Sequence, residues 1–212
     1  MGKEINFNHW KNAKYGNPKT HYTEVKIAPK QERTDALLDI VKKYEVDTGS
    51  KFSKICEFGC NNGRNLMPFY HLGIDVYGYD ICESSLDASR DSMERCSGNF
   101  KNVDLFNQYS ELAPIPDNYY DFSFTMGFLM HLPKSENKSS LINEIIRVSK
   151  NVLVYEPSKL GGIEESDLSQ DGWHLSMMDY DECDSRFQQL DITHTVSENA
   201  LMKVWFLQKE VL

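Results

Sequence analysis

The chain has 212 residues, 40% of them hydrophobic, and carries a net charge of −9. A chain of this size suits one domain with a substantial core, and its acidic balance argues against a broad nucleic-acid surface. No stretch is long or apolar enough to cross a bilayer. Residues 1–6 lack the apolar core of a signal peptide, and Asn6 stands where a myristoylation signal needs Ser or Thr, so a cytoplasmic location is expected.

Residues 1–29 show no clean hydrophobic period but are rich in Asn, Lys and aromatic side chains, among them Phe7, His9, Trp10, Tyr15, His21 and Tyr22. That is too aromatic for a disordered tail. Short helical turns packed over the mouth of a sheet are expected, with Trp10, Tyr15 and Tyr22 covering a ligand or packing in the core. Residues 1–34 hold seven Lys or Arg against three acids, which puts +4 on this segment and −13 on the remainder. A basic segment on an acidic body could close over an anionic small molecule, or it could be a solvated arm. After Pro29, Leu37, Leu38, Ile40, Val41 and Tyr44 fall on or near one face of a helix from Gln31 to Tyr44. Asp47-Thr48-Gly49-Ser50 ends it.

The next stretch, Lys54-Ile55-Cys56-Glu57-Phe58-Gly59-Cys60-Asn61-Asn62-Gly63-Arg64-Asn65-Leu66, reads as a buried strand, a tight turn and a helix start. That is the first half of a nucleotide-binding crevice. Glycine serves where the backbone takes positive φ or approaches a ligand closely, and Asn61 and Asn62 can stand in for further glycines. A dinucleotide loop reads GxGxxG and receives a pyrophosphate at the helix N-terminus. Here the order is Glu57-x-Gly59-x-x-x-Gly63, and a carboxylate at the strand end repels phosphate and attracts an ammonium group. The run resembles motif I of the class I S-adenosylmethionine (SAM)-dependent methyltransferases, with Glu57, Gly59 and Gly63 matching and Asn61 in place of the middle glycine. The resemblance implies that the loop backbone, Cys60 and Asn61 included, faces the methionine part of SAM.

A helix is expected from Gly63 to about His71, with Pro68 in its first turns and Gly73 capping it. The second strand, Val76 to Asp80, ends in an acid 17 residues after Gly63. An acid there can accept hydrogen bonds from ribose hydroxyls, and the resembled family places one at this point, followed by Ile81. A polar helix runs from Glu83 to about Cys96. The third strand is expected over Phe100–Leu105, and the resemblance implies that Asp104 and Leu105 meet the adenine ring.

The segment "YDFSFTMGFLMHLP", from Tyr120 to Pro133, reads as a fourth strand and its sequel. It resembles motif IV and the residues just after that motif in the same family. That likeness implies that Met126 and Gly127 approach the methionine end of the cofactor, with Phe128 and His131 near the transfer site. A helix over Ser139–Ser149 carries Leu141, Ile142, Ile145, Ile146 and Val148. The fifth strand, Val152 to Glu156, is stopped by Pro157, and Glu156 sits at the ligand-binding edge of the sheet. Ser158 to Trp173 reads as a substrate lid, because long loops in compact domains are usually functional or mobile. Tyr180 to Phe187 reads as a short helix. Ile192–Val196 and Leu201–Leu207 form a final hairpin.

The expected fold is α/β: a Rossmann-like, seven-stranded, mostly parallel sheet with an antiparallel last strand and helices on both faces. It is one domain, with residues 1–30 as a cap, 51–156 as the cofactor core, and 157–212 as lid and hairpin. Of the five cysteines, at 56, 60, 82, 96 and 183, Cys56, Cys60 and Cys82 read as small buried residues, and no Cys/His spacing matches a zinc site. Methyl transfer needs alignment, and a base only when the acceptor holds its proton tightly. His131 is the candidate base, or a brace of its loop. Glu156 could bind an acceptor hydroxyl or serve as base. "EFGCNNGRNL" with "MGFLMHLP" looks most similar to methyltransferases found beside sugar-biosynthesis genes, such as the pseudaminic acid biosynthesis-associated methylases. The expected partner is a small-molecule methyl acceptor, with an anionic sugar or sugar derivative as the candidate. The alternative is a protein that binds SAM without transferring methyl: a sensor, a SAM-cleaving enzyme or an inactive partner subunit.

Overall fold

The computed structural model describes residues 11–12, 28–105, 109–132, 136–159, 187–197 and 200–208. Its elements in chain order are α1 (Ala28–Thr48), β1 (Lys54–Phe58), α2 (Met67–His71), β2 (Asp75–Asp80), α3 (Glu83–Ser92) and β3 (Phe100–Asn102). They continue with β4 (Phe122–Met126), α4 (Glu136–Val148), β5 (Asn151–Lys159), β6 (Gln188–Ser197) and β7 (Ala200–Gln208). The seven strands form one sheet in the order β3-β2-β1-β4-β5-β7-β6. β1 to β5 run parallel, and β7 alone is reversed, antiparallel to both β5 and β6.

Strand alternation divides the core into two layers. Ile55, Val76, Phe122, Phe124, Leu153 and Tyr155 pack beneath Leu37 and Val41 of α1, Phe69 of α2 and Leu86 of α3. Cys56, Phe58, Tyr79, Val152 and Val154 point the other way, against Leu141, Ile142, Ile145 and Ile146 of α4. Helices on both faces explain why Ile55 to Phe58 are buried without an exposed position. Each large apolar side chain so enclosed contributes roughly 1.5–3 kcal/mol.

β1 lies between β2 and β4, so the chain changes direction of travel across the sheet at that strand. The crevice outside the carboxyl ends there is where open α/β sheets bind ligands. Backbone bonds tie this edge together. Gly59 and Cys60 N–H donate to the Tyr79 carbonyl at 2.8 and 3.1 Å, Val103 N–H to Asp80 O at 3.0 Å, and Gly127 N–H to Tyr155 O at 3.0 Å. At the opposite end Asp121 clamps β1 to β4. Its Oδ2 accepts from Ser53 N–H, Ser53 Oγ and Lys54 N–H at 2.9, 2.7 and 3.1 Å, and its Oδ1 accepts from Lys150 Nζ at 2.8 Å.

Several boundaries differ from the sequence reading. α2 begins only at Met67, because positive φ at Asn61 and Gly63 holds the preceding residues in turns. Asn62 does not share that conformation and donates its N–H to the Asn61 side chain instead. β3 stops at Asn102, which leaves Asp104 beyond the strand. The polar helix ends at Ser92 and gives way to a 3-10 turn over Glu94–Asn99. Pro157 does not end β5, where it pairs with Met202 of β7. β4 has finished opposite Tyr155, so β5 is locally an edge on that side, where a missing N–H is tolerated. Trp10, Tyr15 and Tyr22, the lid beyond Lys159 and the expected helix before Phe187 lie outside the described residues. No helix among the described residues is long and apolar enough to cross a membrane.

Candidate functional site

The loop after β1 is built from residues that resolve their own backbone needs. Asn61 N–H donates to Asp80 Oδ2 at 2.7 Å, Asn62 N–H to Asn61 Oδ1 at 2.7 Å, and Gly63 N–H to Cys60 O at 2.9 Å. With Gly59 and Cys60 bonded to Tyr79, every backbone donor from 59 to 63 is already used. Gly59 (φ 77°), Asn61 (φ 50°) and Gly63 (φ 68°) make that path possible. A Cβ on Gly59 would lie 2.4 Å from Phe128 Cγ, so the Phe128 ring rests on this glycine. Gly78 on β2, which the sequence did not mark, has the same tightness. A Cβ there would meet Cys60 Sγ at 2.6 Å and Phe100 Cδ1 at 2.7 Å.

Asp80, the last residue of β2, is half-buried. Its Oδ1 accepts from Cys82 N–H at 2.9 Å and its Oδ2 from Asn61 N–H at 2.7 Å, and a carboxylate has lone pairs left for a ligand. Burial pushes its carboxyl up, against the pull of the backbone donors of Cys82, Asn61 and Ile81. Asn102 Nδ2 holds the Ile81 carbonyl at 2.9 Å and so fixes the turn out of β2. Leu105 is buried and Asp104 half-buried, just past β3.

Glu57 is buried within β1, at 1% exposure. Asn65 Nδ2 donates to its Oε1 at 2.7 Å, and Thr34 Oγ1 on α1 donates to Asn65 Oδ1 at 3.1 Å. Glu57 Oε2 has no hydrogen-bond partner among the described residues. Burial pushes the Glu57 carboxyl up to about 8, with Asn65 and Arg64 pulling it down and Asp80 pushing it further up. Asn65 and Thr34 were not singled out by the sequence. Asn65 lies inside the quoted motif, but no pattern in the chain announces a partner 31 residues away.

After β4, Met126 and Gly127 are half-buried, and Phe128 and His131 are buried at 8% and 7% exposure. His131 closes a 3-10 turn over Leu129–His131, and its N–H donates to Phe128 O at 3.0 Å. Glu156 is fully buried. Its Oε1 accepts from Phe128 N–H at 3.0 Å and its Oε2 from Met130 N–H at 3.3 Å. Burial pushes this carboxyl up, against the backbone donors of Phe128 and Leu129 and the ammonium of Lys138. The carboxylate therefore braces the turn that sets Phe128 on Gly59. Among the described residues no cluster of three His, Cys, Asp or Glu could hold a metal ion.

The donor set bears on which ligand fits. A phosphate needs free N–H groups at a helix N-terminus, and this loop has none left between 59 and 63, while α2 starts later and has five residues. A ligand with hydroxyls and a positive charge meets Asp80 at the crevice and an orphaned buried carboxylate oxygen beneath it. SAM has both properties, and the residues present fit it.

Residues 56–152 match the family model described as a methyltransferase domain. Magnesium protoporphyrin IX methyltransferase (ChlM) from Synechocystis PCC 6803, solved with bound SAH, aligns with a TM-score of 0.67 and 17% identity over 98% of this chain and 100% of that one. The bifunctional kinase-methyltransferase WbdD aligns with a TM-score of 0.64 and 12% identity over 92% of this chain but 43% of its own, so this chain spans less than half of its length. The [4+2]-cyclase SpnF aligns with a TM-score of 0.54 and 22% identity over 74% of this chain and 59% of that one. At these identities the likeness to solved structures is one of fold. Among curated proteins none matches the sequence. Residues 56–152 thus resemble a methyltransferase domain in sequence, and the chain shares its fold with a solved methyltransferase that holds SAH.

Proposed function

We propose that this chain transfers a methyl group from SAM to a small-molecule acceptor. The observation that carries the reading is the loop whose backbone donors are all used, set between the acids of β1 and β2. When bound, SAM supplies an electrophilic methyl on a sulfonium centre. In this reading Asp80 accepts from the ribose hydroxyls, and Ile81, Asp104 and Leu105 flank the adenine. Gly59, Cys60, Asn61, Gly63 and Met126 line the methionine end. Glu57 offers its unpartnered Oε2 from below, and an ammonium-bearing ligand would favour the charged form of this carboxyl that burial disfavours. Phe128 sits beside the acceptor. Glu156 positions that turn through its two N–H contacts. His131 takes the acceptor's proton or braces the turn.

The test is incubation with methyl-labelled SAM and a panel of small acceptors, followed by separation of labelled products. Labelled product supports transfer. In the same assay, His131→Ala should lower turnover roughly a hundredfold if it moves a proton while leaving SAM affinity unchanged. Equal losses in both would assign it to the brace.

A finer reading is an anionic sugar or sugar derivative as acceptor. It is supported by the basic balance of residues 1–34 and by the sequence likeness to methylases of sugar biosynthesis. Neutralising Lys11 and Lys14 should raise the acceptor's KM by roughly three- to tenfold, with little effect on SAM binding. An unchanged KM with a charged sugar would remove the finer reading. The second reading, binding of SAM without methyl transfer, draws on the fold likeness to a protein named as a [4+2]-cyclase. Tight SAM binding with no labelled product from any acceptor would favour it.

A further inference from the structure

The chain Thr34–Asn65–Glu57 joins three elements that are far apart in sequence. Thr34 is on α1, Asn65 ends the cofactor loop, and Glu57 is in β1, with exposures of 1%, 7% and 1%. The central amide uses both of its ends. Its oxygen accepts from the Thr34 hydroxyl at 3.1 Å, and its nitrogen donates to Glu57 Oε1 at 2.7 Å. Turned over, that amide would set its oxygen against the Glu57 carboxylate, so the charged carboxylate favours the orientation in which Asn65 donates to it, and the Thr34 hydroxyl holds the amide there. A hydrogen bond buried this deeply is costly to leave unmade. Packing alone would not need it: α1 already seats Leu37 and Val41 in the core.

We infer that Thr34 and Asn65 are positioning residues for SAM binding. Together they hold Glu57 as an acceptor beneath the loop, with the hydroxyl of one α1 residue fixing the amide that reaches it. The inference rests on the SAM reading above and adds the helix to the site. Glu57 is faced by Arg64 and Asp80, and by the thiols of Cys56 and Cys60. Among the described residues, Asn65 is the neutral side chain that donates to it.

The test measures SAH affinity by calorimetry on the full chain, together with melting temperature. Thr34→Val keeps the shape and removes the hydroxyl, and should weaken SAH about five- to tenfold, whereas Thr34→Ser should restore it. Asn65→Leu should weaken it more and move the pH midpoint of SAH binding upward, because Glu57 loses the donor that favours its charged form. Leu37→Ala is the control for stability. It destabilises α1 without touching Asn65, and should lower the melting temperature while SAH affinity holds at temperatures where the protein is folded. If Leu37→Ala and Thr34→Val lose affinity alike, or if Thr34→Val binds SAH as the wild type does, the relay is structural and the inference falls. If the wild type itself does not bind SAH, the SAM reading falls and the inference with it.

Discussion

At the scale of the residue, Gly59 and Gly127 separate two reasons for a glycine. Both take positive φ, 77° and 65°. A Cβ on Gly59 would overlap the Phe128 ring at 2.4 Å, whereas one on Gly127 would meet nothing within 4 Å. Gly127→Ala should therefore cost about 1–2 kcal/mol of stability, the strain of the left-handed backbone alone. Gly59→Ala adds overpacking of about 1–3 kcal/mol and should also weaken SAH, because Phe128 must leave its seat. Urea melts and SAH calorimetry on the two variants check this: equal losses of stability and equal affinity would show that the Phe128 contact gives way without consequence. The residue scale is also where the sequence was most and least legible. Asn61 at φ 50° follows from the tolerance of Asn for that region. Asn62 was expected to do the same, yet its backbone found an acceptor in the neighbouring side chain. Local chemistry offered both outcomes, and the fold chose between them.

At the scale of the element, the pairing of β1 with β4 depends on Asp121 at the end of the sheet remote from the crevice. Burial pushes the Asp121 carboxyl up, but the Lys150 ammonium and the Ser53 and Lys54 donors outweigh it and hold it below its ordinary value. Because the folded value is depressed, the native state binds fewer protons than the unfolded chain near that pH. The stabilisation is fully present above the unfolded value of about 3.9, and it is lost as pH falls through the lower folded value. Asp121→Asn keeps the shape and removes the charge, and should cost about 2–3 kcal/mol at pH 7, mostly from the backbone bonds. The Lys150 pair is half-exposed and contributes little. Urea melts should show the gap between wild type and variant closing as the pH is lowered to about 3; a gap that stays constant would mean the carboxylate charge is immaterial. The strands themselves were legible because apolar and aromatic residues alternate along them. Their ends were not. β3 is short and β5 runs through Pro157 because of which neighbour each strand has at that point, and that is a tertiary fact.

At the scale of the whole molecule, the reading of five helix-linked strands followed by an antiparallel pair matches the sheet, with β7 reversed between β5 and β6. Helix-linked strands made the parallel part legible, and family resemblance supplied the strand count. What could not be read was contact across the layers. The Thr34–Asn65 bond joins positions with no shared motif, and the Glu156 brace spans 28 residues to reach Phe128. Both are products of the layering, which brings α1 and the end of β5 to the same crevice from opposite faces.

The self-satisfied loop has a consequence for competition inside a cell. Nucleoside triphosphates are abundant, and a pocket that offered spare amides to their tails would spend much of its time blocked by them. In the proposed reading an adenosine would place its hydroxyls at Asp80, and a polyphosphate tail would then meet no spare N–H from 59 to 63 and a carboxyl group below. Selectivity against the commonest adenine compounds would then follow from how a few backbone atoms are already occupied, with no bulky gate required.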